Sequence, residues 1–220
     1  MRLNKFIALA TGMGRRPADA AISAGRVQVD GLPASTGQQV TDANQVSLDS
    51  KPLALQSSTM TIMLNKPVGY VVSRQGQGSK TVYDLLPPEY QHLKPVGRLD
   101  KDSSGLLLLT NDGQLANELA HPSQQKTKLY ELTLDKPLVP LHQQMIMDYG
   151  VLLDDGSSKL QLEKLHDDAK KWRVIMHEGR NRQIRRTFAA LGYTVRQLHR
   201  VQFGPYTLSA ALASGAIHIV

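Results

Sequence analysis

Apolar residues at Leu3, Phe6, Ile7 and Ala10 keep the i, i+3, i+4, i+7 spacing of one helix face, and the run TGMG then ends the pattern. A second helix is predicted over residues 17–24, with Pro17 in its first turn and Gly25 as its stop. Val27 and Val29 alternate with polar neighbours and lead into Asp30-Gly31, a hairpin pair. Val46 and Leu48 read as a further short strand. Residues 53–61, LALQSSTMT, carry no clear period and read as a linker. The chain thus divides into residues 1–58 and residues 59–220.

The second part alternates strands and helices. IMLNKPVGYVVS is predicted to be a strand entering a Lys-Pro-x-Gly turn. GLLLLT reads as a strand buried on both faces, Asn111-Asp112-Gly113 as a turn, and QLANELAH as a short helix ended by Pro122. KLYELTLD places Tyr130, Leu132 and Leu134 on one face of a strand, and KWRVIMHEG alternates in the same way. LVPLHQQMIMDYG is predicted to be a helix stopped by Gly150. NRQIRRTFAALG is predicted to be an amphipathic helix, capped by Asn181 and stopped by Gly192. Strands outnumber helices and tight turns join many of them, which predicts an α+β fold with a largely antiparallel mixed sheet.

Composition narrows the function. The chain has 220 residues, 41% of them hydrophobic, enough for one large or two small cores. There is no cysteine, which excludes disulfides, thiolate metal sites and a cysteine nucleophile. No apolar run reaches the length of a membrane span, and the N-terminal apolar patch is too short for a signal peptide, so a cytoplasmic protein without a membrane partner is expected. The net charge of +7 favours a polyanionic partner, nucleic acid above all. No Walker loop, dinucleotide fingerprint or His pair with ligand spacing occurs, so no metal and no cofactor is expected.

Three places can carry chemistry. GRLDKDSSGLLLLTNDG sets Arg98, Asp100 and Asp102 in a Gly/Ser-rich loop at the mouth of the leucine strand. Such a loop is either a solvated turn or a holder for a carboxylate that a large substrate can approach. Tyr130 is either a residue at the rim of the core or a flat platform for a base. On the last helix Ile184, Phe188 and Leu191 form an apolar stripe, with Arg182, Arg185 and Arg186 beside it. These arginines either bind phosphates together, or one of them turns inward against a carboxylate.

The N-terminal part, through RLNKFIA and GRRPADAAISAGRVQVDG, resembles the small RNA-binding domain named after the fourth protein of the small ribosomal subunit. Lys5, Arg15, Arg16 and Arg26 are its candidate RNA contacts. Arg15-Arg16 stands where that family usually has a Ser-Arg pair. The Asp loop, KLYELTL, EGRNRQIRRTFAALG and MLNKPVGYVVS, in this order of domains, resemble ribosomal RNA pseudouridine synthases of the RsuA/RluB-type branch. Relatives often have Met where this chain has Thr187, and a short acidic tail beyond the point where it reads SGAIHIV. The resemblance implies a pseudouridine synthase domain, an enzyme that isomerises a uridine without a cofactor. Asp100 would be its catalytic carboxylate, Arg185 the partner of Asp100, and Tyr130 the stacking platform that helps remove the carbon-5 proton. Ile184 and Leu198 would line the base pocket, and Arg98 would fill the space left by the flipped nucleotide. Arg182 and Arg186 would stay with phosphates at the surface, and Asp102 would cap the loop. The implied partner is ribosomal RNA or a pre-ribosomal particle, met by a monomer, and EGRNRQIRR leans toward the large-subunit branch. A non-catalytic RNA-binding or ribosome-assembly protein is the alternative. A uridine methyltransferase and a glycoside hydrolase using Asp100 with Glu178 fit less well.

Overall fold

The computed structural model describes residues 1–55, 59–121, 124–167 and 169–220. Helix α1 spans Leu3–Thr11 and ends at Gly12 with φ 78°, a left-handed turn that glycine adopts without steric penalty. Helix α2 spans Arg15–Ser23. It starts two residues before the predicted point, because Pro17 still falls in the first turn, where its missing N–H breaks no helical bond. Strands β1 (Val27–Val29) and β2 (Leu32–Pro33) form the expected hairpin about Asp30-Gly31, and β3 (Val46–Leu48) and β4 (Lys51–Leu53) complete a small sheet ordered β2-β1-β3-β4. Leu3, Phe6, Ile7, Ala18, Ile22, Val27 and Val46 pack into one core of their own.

The larger sheet begins with β5 (Thr61–Lys66), β6 (Lys94–Val96) and β7 (Ser104–Thr110). Short 3-10 turns at Val82–Leu85 and Pro88–Tyr90 lie between β5 and β6. After α3 (Gly113–Ala120) and β8 (Lys128–Leu134), α4 (Pro140–Gln144) runs into a π-helical turn at Met145–Tyr149, which Gly150 ends. The hairpin β9 (Val151–Leu153) and β10 (Gly156–Ser158) follows, then β11 (Gln161–Lys164), β12 (Lys171–Met176) and α5 (Gln183–Ala190). Strands β13 (Val195–Phe203), β14 (Tyr206–Thr207) and β15 (Ile217–Ile219) close the chain. The sheet order is β11-β12-β8-β13-β7-β5-β15, with β6 on β7 and β14 on β13. Neighbouring strands pair antiparallel except β13 with β7, so the expected α+β fold with a mixed, largely antiparallel sheet is found. Among the described residues no helix is long and apolar enough to cross a membrane.

The four leucines of β7 explain themselves by alternation. Leu107 and Leu109 enter the main core with Ile62, Leu64, Trp172 and Phe188, whereas Leu106 and Leu108 enter a second core with Met63, Val96, Leu119 and Phe203. Each buried leucine contributes about 1.5–3 kcal/mol, so β7 is pinned from both faces and its N-terminal loop has a rigid base. One local expectation changes. The N-cap position of α5 is Arg182, in a left-handed conformation (φ 45°), not Asn181. The Asn181 carbonyl instead accepts from Arg186 Nε at 2.9 Å, and the Arg180 amide donates to Gln183 Oε1 at 3.3 Å. Pro122, the predicted end of α3, lies outside the described residues.

Candidate active site

Leu99 is buried in the main core between the exposed Arg98 and the half-buried Asp100, and so anchors the loop from its middle. The loop tightens at its end, where the Ser103 amide donates to the Asp100 carbonyl at 3.1 Å. Beneath it stands Lys66, the last residue of β5 and fully buried. Its ammonium donates to the carbonyls of Pro67 (3.0 Å), Asp100 (3.1 Å) and Ser103 (2.7 Å). Burial lowers its pKa to about 8, against the opposing pull of the Asp100 and Asp102 charges. Sequence reading passed over this residue. The available signal was a lysine closing an apolar strand immediately before a proline.

Lys66→Met would leave three backbone acceptors without their donor and should cost about 2 kcal/mol at neutral pH. The lysine's folded pKa lies below its unfolded one, so between about pH 8 and the free-lysine range the unfolded chain binds more protons. The stability of wild type relative to Lys66→Met should therefore rise across that window. Thermal melts of both proteins, from neutral pH to about pH 10, check it; a difference that shrinks with pH refutes the assignment.

Above the loop, the two aspartates meet Arg182, at the cap of α5, and Arg185, within it. Arg182 holds Asp102 with two bonds, of 2.9 and 2.7 Å, and its Nη1 lies 3.5 Å from Asp100 Oδ2. Arg185, only 13% exposed, donates to the carbonyls of Asp102 (2.7 Å) and Val195 (2.6 Å), and its Nε lies 3.2 Å from Asp102 Oδ2. The bonds from Arg182, and then the nearby charges of Arg185 and Arg182, hold the Asp102 carboxyl below the usual carboxylate range. Burial lowers the pKa of Arg185 against the pull of both aspartates. Thus the cation in ion-pair contact with Asp100 is Arg182, and Arg185 bonds to Asp102 and to the backbone. Asp102 does more than cap a loop: it ties the Asp loop to α5. Arg186, expected at the phosphates, is instead paired with Asp154 and with Asp155 (2.6 Å) on the β9–β10 hairpin. The hydroxyl of Thr187 is buried and meets Ser158 Oγ at 2.7 Å, so a polar residue is satisfied there.

Arg98, Asp100, Tyr130, Arg182, Ile184, Arg185 and Leu198 all line one cleft of about 1130 Å³. Tyr130 is 8% exposed, and Ile184 and Leu198 are buried. Arg186 is not among the lining residues. In the N-terminal part Lys5, Arg15 and Arg16 are exposed, and Arg15 donates to Asn4 Oδ1 at 3.3 Å. Arg26 is paired with Asp49.

Comparison with known proteins supplies the class. The model of the family described as RNA pseudouridylate synthase matches residues 60–190, which include the Asp loop, Tyr130 and α5. The chain belongs to the RNA pseudouridylate synthase family. It is 37% identical over 220 residues to the ribosomal small subunit pseudouridine synthase A of Escherichia coli K12, covering 98% of this chain and 94% of that one. It is 35% identical over 226 residues to the ribosomal large subunit pseudouridine synthase B of Xanthomonas campestris pv. campestris, covering 97% of this chain but 46% of that one. The chain therefore spans about half the length of the Xanthomonas relative. A solved structure titled as a pseudouridylate synthase superposes with a TM-score of 0.72 at 31% identity, covering 100% of this chain and 96% of the other.

Proposed function

We propose that this protein converts a uridine of ribosomal RNA to pseudouridine, with Asp100 as the carboxylate at the reacting sugar. The observation that carries the reading is the meeting of Asp100, Tyr130, Arg182 and Arg185 in one cleft, in a chain whose relatives are named for this reaction on ribosomal RNA. The bond between uracil N1 and the sugar carbon C1′ breaks, the uracil turns, and its C5 joins the same C1′. The proton on C5 is lost and N1 gains one, so the product is an isomer and no oxidant, reductant or energy carrier is consumed. A carboxylate serves this chemistry either by attacking covalently or by stabilising an oxocarbenium-like centre and moving a proton.

The target base must leave its stack to reach Asp100, which costs a few kcal/mol. Tyr130 offers the uracil a flat surface, Ile184 and Leu198 close the pocket around it, and the exposed Arg98 reaches into the vacated space. Release of tritium from a ribosomal RNA transcript labelled at uracil C5 tests the reaction. Pseudouridine mapping in ribosomal RNA from cells with and without the gene then names the uridine. No release by purified protein, with RNA binding intact, would leave the non-catalytic RNA-binding reading.

The N-terminal part is assigned the grip on RNA, through Lys5, Arg15, Arg16 and Arg26. Its core is separate from the cores that follow. Lys94 links the two parts, donating to the carbonyls of Ala8 (3.2 Å) and Met13 (2.9 Å) at the C-terminal end of α1, where a cation is favoured. Removing residues 1–58 should leave a cooperatively melting domain and weaken RNA binding about tenfold or more. Filter binding and a thermal melt of the truncated chain check this; a molten remainder would show that the division is misplaced.

A further inference from the structure

Arg200 is 2% exposed, yet among the described residues no acceptor meets its Nη2. Its Nε donates to the Leu106 carbonyl at 2.8 Å, and its guanidinium carbon lies 4.8 Å from the centre of the Phe203 ring. Lys128, half-buried at the start of β8, places its ammonium 5.7 Å from the centre of the same ring and donates to the Glu178 carbonyl at 3.2 Å. Both residues line the cleft. Neither has an ion-pair partner among the described residues. The carboxylate of Glu178, which also lines the cleft, is engaged with Arg180 (3.3 Å) and Gln183. Burial, and then the charge of Arg200, push the pKa of Lys128 down, while Glu178 pulls it up.

Two desolvated cations held about one aromatic ring, one with an unsatisfied N–H, are unfavourable until an anion joins them. We propose that Arg200 and Lys128 form a phosphodiester-binding subsite in the cleft, which seats a backbone phosphate next to the target nucleotide. The inference rests on reading the cleft as the site of a uridine in RNA.

Register places the subsite. Arg200 stands directly opposite Tyr130 on one side and opposite Gly105 on the other. Gly105 has φ 103°, and a Cβ there would lie 2.2 Å from the Arg200 carbonyl oxygen, so β7 approaches Arg200 as only glycine permits. One strand spacing, about 4.8 Å, separates Arg200 from Tyr130. The phosphodiester within reach is therefore one that flanks the base on Tyr130. A singly charged group with several oxygens can accept from both cations at once.

The test is a set of double-variant cycles. Neutral methylphosphonate replaces, one at a time, each linkage flanking the target uridine, and binding is measured to wild type, Lys128→Met and Arg200→Gln. At one linkage the neutral group should weaken wild-type binding about tenfold and weaken binding to Lys128→Met no further. Lys128→Met should also reduce the log–log salt slope by about one phosphate's share. Equal methylphosphonate penalties in wild type and Lys128→Met at every linkage would overturn the subsite. Slower single-turnover chemistry in Arg200→Gln without coupling to any linkage would place the guanidinium on the base and overturn it too. Should Arg200→Gln fail to fold, the Lys128→Met cycle still decides. Tritium release by wild type from the unmodified transcript separates the two failures. Release with additive cycles sinks the subsite alone, whereas no release sinks the uridine reading and the subsite with it.

Discussion

Asp100→Asn should lose about 10⁴-fold or more in single-turnover rate, the scale seen when a reacting catalytic group is removed. RNA affinity and the thermal melt should stay nearly unchanged. The separation follows from how the loop is held. The atom of Asp100 that the fold uses is its backbone carbonyl, which takes bonds from Lys66 and from the Ser103 amide. Among the described residues its carboxylate has one ion-pair contact, with Arg182 at 3.5 Å, and Arg182 keeps its two bonds to Asp102 in the variant. The side chain is 35% exposed and faces the cleft, so an amide of equal size fits without strain. What disappears is the negative charge needed to attack or stabilise C1′ and to move a proton. Tritium release measures the loss, and filter binding with a melt measures the controls. Substantial turnover by Asp100→Asn would remove this residue from the chemistry.

The parts of this arrangement legible in the sequence were those set by short-range pattern. Alternation gave β8 and β12 and three-to-four spacing gave α1 and α5, because burial of one face fixes both periods, whereas an unbroken apolar run gave β7, which is buried on both faces. The motif order brought the Asp loop, Tyr130 and α5 to one site, and one cleft does contain them. Which arginine meets which aspartate was not legible. Arg182 sits at a left-handed cap rather than within the helix, so a helical wheel misplaces its side chain. Arg186 was read as a free phosphate contact because Asp154 and Asp155 approach only through the hairpin fold. Lys66 and Arg200 were missed because a cation in an apolar strand has no signature until the sheet sets carbonyls or an aromatic ring beside it.

Arg185→Met should slow single-turnover chemistry by about a hundredfold with little change in RNA affinity, and should also lower the melting temperature. The guanidinium bridges three points: the Asp102 carbonyl, the Asp102 carboxylate and the Val195 carbonyl at the start of β13. Methionine fills the volume but leaves both carbonyls without that donor, and the end of the Asp loop is no longer held against β13. Reaction geometry is steeply sensitive to such slack, since a displacement of about 1 Å can cost a hundredfold. Arg185→Lys should recover part of the rate, because one ammonium can reach one carbonyl but cannot span the fork. Arg182→Met makes the useful contrast. It removes the cation in ion-pair contact with the Asp100 carboxylate from a more exposed position, so it should depress the rate while sparing the melt. Arg186→Met, outside the cleft, should leave the saturated rate close to wild type. All four variants are compared at saturating enzyme, with dissociation constants and melts measured separately. If Arg185→Met reacts at the wild-type rate once saturated, the bridge to Asp102 positions nothing that the chemistry needs, and Arg182 alone would remain as the electrostatic partner of Asp100.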